Sequence, residues 1–130
     1  MVQANEKAIW TETFVADEDL SGNQYYGVAL SDDRKIDLVD DVTDKPVGVL
    51  LDTPEDEREG LVCVMGRSPI KLGETVAAGA QLRVGADGKF YNWEPGTDTT
   101  AYCCGMCTIG GDTSEVGEGL IWPANARGDC

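Results

Sequence analysis

The stretch over residues 61–93, LVCVMGRSPIKLGETVAAGAQLRVGADGKFYNW, constrains the fold more than any other part of this chain. It opens with the apolar run LVCVM at 61–65, which Gly66 is expected to stop. It then passes through Ile70 and Leu72 to a segment punctuated by Gly73 and Gly79. It closes with Gln81-Leu82-Arg83-Val84, a Gly85-Ala86-Asp87-Gly88 turn, and Lys89-Phe90-Tyr91-Asn92-Trp93. Short runs with alternating apolar positions, divided by Gly and Asp-Gly, predict small strands joined by tight turns. Asp87-Gly88 is the strongest hairpin signal, because a two-residue turn of the favoured hand needs positive φ, which glycine adopts at little cost. The stretch holds no His, no nucleophile-and-base pair and no phosphate loop, so it reads as scaffold.

The rest of the chain is punctuated in the same way. Residues 24–30 predict a strand after the Ser21-Gly22-Asn23 turn. A short strand over 35–39 puts Ile36 and Leu38 on one face. Pro46 opens a strand over 47–51, and 53–60 is a charged connection. Residues 94–98 form a loop, 99–109 a strand pair or one bent strand, 114–119 a polar connection, and 120–122 the last strand, ended by Pro123. Gly48-Val49-Leu50-Leu51, an acidic loop and Gly60-Leu61-Val62 are echoed by Gly105-Met106-Cys107-Thr108, a polar loop and Gly119-Leu120-Ile121, which hints at one hairpin used twice. Sixteen Gly and five Pro spread along the chain favour many short strands over a helical bundle. The expected class is therefore mainly β, a small compact sandwich or barrel of one domain over 21–123. Residues 1–20 are expected to form an extended N-terminal arm, and 124–130 a C-terminal tail.

Within the arm, Trp10 and Phe14 are spaced to share a helical face, but Thr11 and Thr13 between them are poor helix formers. Two readings stand: an extended segment that adds a strand to a neighbour or lies on a partner, or aromatic side chains that cap the domain's own core.

Charge sets the partner classes. The net charge is −14, with nine acids against two bases between Asp37 and Gly60. Phosphate binding needs clustered Lys and Arg, so direct nucleic-acid binding is not expected. An acidic surface favours solubility and attracts basic partners. With no run of eighteen apolar residues and no basic-then-apolar N-terminus, neither a membrane span nor a signal peptide is expected.

The candidate chemical groups are sparse. Cys104 and Cys107 form a C-x-x-C, but a structural zinc site needs four ligands and the chain has no His. A redox C-x-x-C would need a helix N-terminus, and the flanks here predict strand. Cys63, Cys103, Cys104, Cys107 and Cys130 are expected to be mostly free thiols buried as small apolar residues, with their disulfide state left open. Glu55, Asp56, Glu57 and Glu59 lack the spacing of a calcium loop and read as solvated charges. No catalytic, metal or cofactor residue is assigned, and the chain is expected not to be an enzyme.

Two resemblances follow from motif order. Gly73-Glu74-Thr75-Val76-Ala77-Ala78-Gly79-Ala80-Gln81-Leu82 resembles the entry to biotinyl and lipoyl carrier domains, which would make Lys89 the modified residue. Lys89 lacks the flanking pattern of those families.

The broader match uses Pro46-Val47-Gly48-Val49-Leu50, Gly60-Leu61-Val62-Cys63-Val64-Met65-Gly66, Val76-Ala77-Ala78-Gly79-Ala80-Gln81-Leu82, Asp87-Gly88-Lys89-Phe90, Gly105-Met106 and Gly119-Leu120-Ile121-Trp122. That order resembles the capsid cement, or head-decoration, proteins of tailed bacteriophages over about residues 27–123. The resemblance implies a β-tulip-like fold and a homotrimer on the outer surface of the expanded virion head. There it would clamp neighbouring major capsid protein subunits after synthesis in the host cytoplasm. It also implies that the arm, with Trp10, Thr11, Thr13 and Phe14, binds capsid or neighbouring copies. The alternatives are the carrier domain and a generic β-rich surface-binding module.

Overall fold

The computed structural model describes residues 10–123, which form nine strands and no helix. The first five are β1 (Trp10–Ala16), β2 (Gly27–Asp32), β3 (Lys35–Leu38), β4 (Pro46–Leu50) and β5 (Glu59–Lys71). They pair in the order β1-β3-β2-β4-β5, and β5 returns to β1, so the five close into a barrel. Every contact in the ring is antiparallel except β1 with β3, where Val15 meets Lys35 and Ala16 meets Ile36 in parallel register. Alternation turns Phe14, Ala16, Leu20, Val28, Ile36, Leu50 and Val62 into one buried cluster. Closure also removes the exposed strand edges that would template aggregation.

β5 outlasts the barrel. Its thirteen residues run on past Gly66 and pair with β9 (Val116–Ile121) from Gly66–Ile121 to Lys71–Val116. The second sheet continues through β8 (Gly105–Ile109), β6 (Gln81–Val84) and β7 (Phe90–Asn92). A parallel bridge from Leu72 to Phe90, with the Gly73 N–H donating to the Phe90 carbonyl at 2.9 Å, brings the last strand back to the residues just after β5. The second sheet thus also comes round on itself, and β5 belongs to both rings. Ile70, Leu72, Leu82, Val84, Phe90, Cys104, Cys107 and Ile121 pack with Ala29, Val39, Val49 and Cys63 of the first ring in one core. Trp93, Ala101 and Cys103 form a smaller cluster against Trp122.

The all-β expectation holds, and several local expectations change. Gly66 does not stop its strand; with φ at 123° it lets the chain bend from one sheet into the next, a conformation that a side chain would resist. Pro69 lies inside β5 without breaking it. Lys71, two residues on, donates its N–H to the Tyr25 carbonyl at 2.9 Å, away from β9. Strand alternation puts the Pro69 nitrogen on that same open side, where no ladder bond is lost. The Asp87-Gly88 hairpin is present between β6 and β7, with one residue more in its loop than expected. The Gly88 N–H donates to the Gly85 carbonyl at 2.9 Å, and Gly88 takes the positive φ, here 80°. Only 105–109 of the expected 99–109 segment is strand; Ala101 and Cys103 are instead packed beneath Trp93. The two echoed segments do form two antiparallel hairpins, β4–β5 and β8–β9.

The expected arm divides. Residues 1–9, like the tail at 124–130, lie outside the described residues. Residues 10–20 do not stand away from the domain: β1 makes its strand addition to β3 and β5 of the same chain, and Phe14, Ala16 and Leu20 fill the barrel.

Candidate interaction surface

The four arm residues singled out from sequence fall in β1 with different exposures. Phe14 is buried at 6% exposure, opposite Gly60, with the Arg34 guanidinium 4.6 Å above its ring. Arg34 also donates to the Thr13 carbonyl at 2.7 Å, which fixes the cation over the ring. Thr11 and Thr13 lie opposite Cys63 and Leu61 on β5. Trp10 is 52% exposed and stands in register with Met65, itself 39% exposed. The Trp10 indole N–H donates to Glu12 at 2.9 Å, and this bond, with Arg34 beside it, holds the Glu12 carboxyl below its ordinary range. Trp10 and Met65 thus form an exposed apolar pair at the start of β1, Leu61 is exposed separately opposite Thr13, and Phe14 is part of the interior.

A second surface was not read from sequence as a unit. An open cleft of about 610 Å³ lies between β2 and the loop before β4, lined by Ala29, Leu30, Asp37, Asp40, Asp44 and Lys45 among others. Burial raises the Asp37 carboxyl above its ordinary range, and Glu18, Asp40, Asp44 and Asp17 raise it further by repulsion. Burial likewise raises Asp44, against a hydrogen bond that it accepts from the Asp40 amide at 3.3 Å. Among the described residues Asp37 has no hydrogen bond or ion pair for its carboxylate. The nearest cation of the lining, Lys45, is directed to the Tyr102 ring, 6.0 Å from its centroid. The signal in the sequence was the acid excess over 37–60; what it could not show is that β2 and Glu18 lie against the stretch that carries Asp37, Asp40 and Asp44.

Other candidates resolve into structure. Cys63, Cys104 and Cys107 are buried free thiols, and Cys103 is disulfide-bonded. Burial pushes the Cys104 thiol up to about 12 and raises Cys63 and Cys107 as well, the reverse of what a reactive thiol needs. Cys130 lies outside the described residues. Lys89 follows the β6–β7 turn half-buried, and the turn is tied to the barrel by the Gly27 N–H donating to the Gly88 carbonyl at 2.7 Å. A carrier lysine needs free presentation at a turn, which this docking does not give. Among the described residues no group of three or more Cys, Asp or Glu side chains is placed to hold a metal ion.

No family model matches the chain, and no curated protein matches it significantly. Among solved structures the fold is shared with the N-terminal base of the head fibre gp8.5 of bacteriophage phi29. The match has a TM-score of 0.63 at 15% identity and covers 92% of this chain and 98% of that one. At that identity the likeness is one of fold.

Proposed function

We propose that this protein is a structural component of a tailed-phage virion that binds the outer surface of the head. The observation that carries the reading is the shared fold with a phage head-fibre base over nearly the whole of both chains. The motif order that resembles head-decoration proteins supports the same class independently, and a surface of −14 suits a position that does not touch packaged DNA. In this reading the protein stabilises the expanded shell by clamping neighbouring major capsid protein subunits, associates with further copies of itself as a homotrimer, and performs no catalysis. It acts through interface area multiplied over many copies. The β1–β5 seam contributes Trp10 as the anchor on the shell, with Thr11 and Thr13 at the alternate positions of the same strand, since exposed aromatic residues are enriched at binding hot spots. Phe14 is left out of that contact set because it fills the barrel.

The test is co-sedimentation of the purified full chain with expanded heads that lack it. Saturable binding is expected, weakened about tenfold or more by Trp10→Ala, the scale of a hot-spot residue. Absence of binding at tens of micromolar protein overturns the reading. Equal binding by Trp10→Ala overturns the anchor and leaves head association standing.

A further inference from the structure

The outer face of β5, β9 and β8 has a character opposite to the rest of the chain. Alternation sorts these strands cleanly: Ser68, Ile70, Gly117, Gly119 and Ile121 are buried, while Arg67, Pro69, Val116 and Leu120 are exposed. Across the strands Arg67 faces Leu120, Pro69 faces Glu118 and Lys71 faces Val116. β8 extends the face with Met106 opposite Leu120 and Ile109 opposite Glu118. Ile109, Val116 and Leu120 are 58%, 52% and 39% exposed, a concentration of apolar surface that calls for a partner.

The charges on this face are Arg67, Lys71 and Glu118. Glu118 is already engaged, by Arg67 at 3.7 Å and by the Thr108 hydroxyl at 2.9 Å, while Lys71 has no ion pair among the described residues. Asp112 and Glu115 of the adjoining turn keep their charges and lie just ahead of β9, where Asp112 accepts from the Thr75 hydroxyl at 3.1 Å and Glu115 from the Asp112 amide at 2.7 Å. The strands themselves, with Arg67 and Lys71 against Glu118, present a weakly positive, apolar face on a chain of net charge −14.

We propose that this face docks on the acidic rim of a second copy, where Asp37, Asp40 and Asp44 lie beside exposed Leu30 and Val42. Two copies of so acidic a chain repel each other over most orientations. The face set against itself would bring Arg67 and Lys71 of both copies together. Set against the acidic rim it pairs opposite charges and covers apolar side chains on both sides. The contact is heterologous, so it joins copies head to tail and closes or propagates according to the rotation between them. This rests on the self-association proposed above and assigns its surfaces.

The test is sedimentation equilibrium at low salt on four samples: the wild-type chain, Arg67→Glu with Lys71→Glu, Asp40→Lys with Asp44→Lys, and an equimolar mixture of the two double variants. The wild type is expected to exceed the mass of one 13.9 kDa chain. Each double variant is expected to associate at least tenfold more weakly, and the mixture to recover association, since the unaltered face of one variant meets the unaltered rim of the other and the two altered surfaces form the reversed pair. Recovery also shows that both variants are folded. Variants that assemble like the wild type, or a mixture that recovers nothing, overturn the assigned surfaces while self-association stands. A wild type that stays a single chain overturns both, and its binding to heads is then read separately.

Discussion

Gly48 of β4 lies flush against the backbone of Cys63 in β5, in a space with no room for a side chain. A Cβ built there collides with the Cys63 carbonyl oxygen and falls 2.8 Å from a Val62 methyl. The contact is with backbone, which cannot swing away as a flexible side chain would. Gly48→Ala is therefore expected to destabilise the protein by roughly 1–3 kcal/mol, the cost of overpacking a core. The check is a lower urea midpoint with an unchanged slope.

Phe14 and Trp10 sit four residues apart on one strand and are expected to respond oppositely. Phe14→Ala removes a buried ring from the barrel and should cost roughly 3–5 kcal/mol. Trp10→Ala, at a half-exposed position, should change stability by no more than about 0.5 kcal/mol. Equilibrium unfolding of both variants decides it: equal losses would mean that Trp10 is core as well.

Asp37 predicts a pH effect. Its folded carboxyl is raised by burial and by Glu18, Asp40, Asp44 and Asp17, so the folded state holds the proton more tightly than the unfolded chain. Its favourable contribution is complete below the ordinary value of 3.8 and is lost as pH rises through the folded value. Asp37→Asn should accordingly raise the unfolding midpoint at pH 7, with a gain that shrinks as pH falls through the folded value and is gone below 3.8. A variant no more stable than wild type at pH 7 would show that neither burial nor repulsion destabilises the Asp37 carboxylate.

The thiols give a chemical readout. Cys63, Cys104 and Cys107 are buried and raised, so a short exposure of the native protein to iodoacetamide at pH 8 should leave all three unmodified. The same treatment in denaturant should alkylate each of them. Native labelling of Cys104 or Cys107, mapped by peptide mass, would restore a redox reading of the C-x-x-C.

Much of the fold was legible because strand signals are local. Polar turns and Pro46 bounded β3 and β4, and Gly with Asp-Gly bounded β6 and β7, each to within a residue or two, and the echo found both hairpins. The role of β1 was not legible. It pairs with residues 35–36 in parallel and 59–65 antiparallel, contacts that no turn announces, so residues 10–16 resembled a loose segment as much as a barrel strand. Gly66 misled for a related reason: a glycine that ends a strand and one that bends it look alike until the partners on each side are known. The surface was harder still. The acid excess was plain in the sequence, but the cleft that β2 forms with Asp37, Asp40 and Asp44 beside Glu18, and the contrast with the Arg67–Leu120 face, arise only when β2 and β9 are set among their neighbours.

The passage of β5 through both rings has a mechanical consequence. Two barrels joined by a linker would hinge, and a pull on one would reach the other through a soft tether. Here the joint is a paired strand held on β1 and β4 over its first half and on β9 over its second. Force crosses it along covalent backbone, and bending it requires breaking ladder hydrogen bonds. The two rings therefore move as one stiff body, and a load applied to either is shared by both.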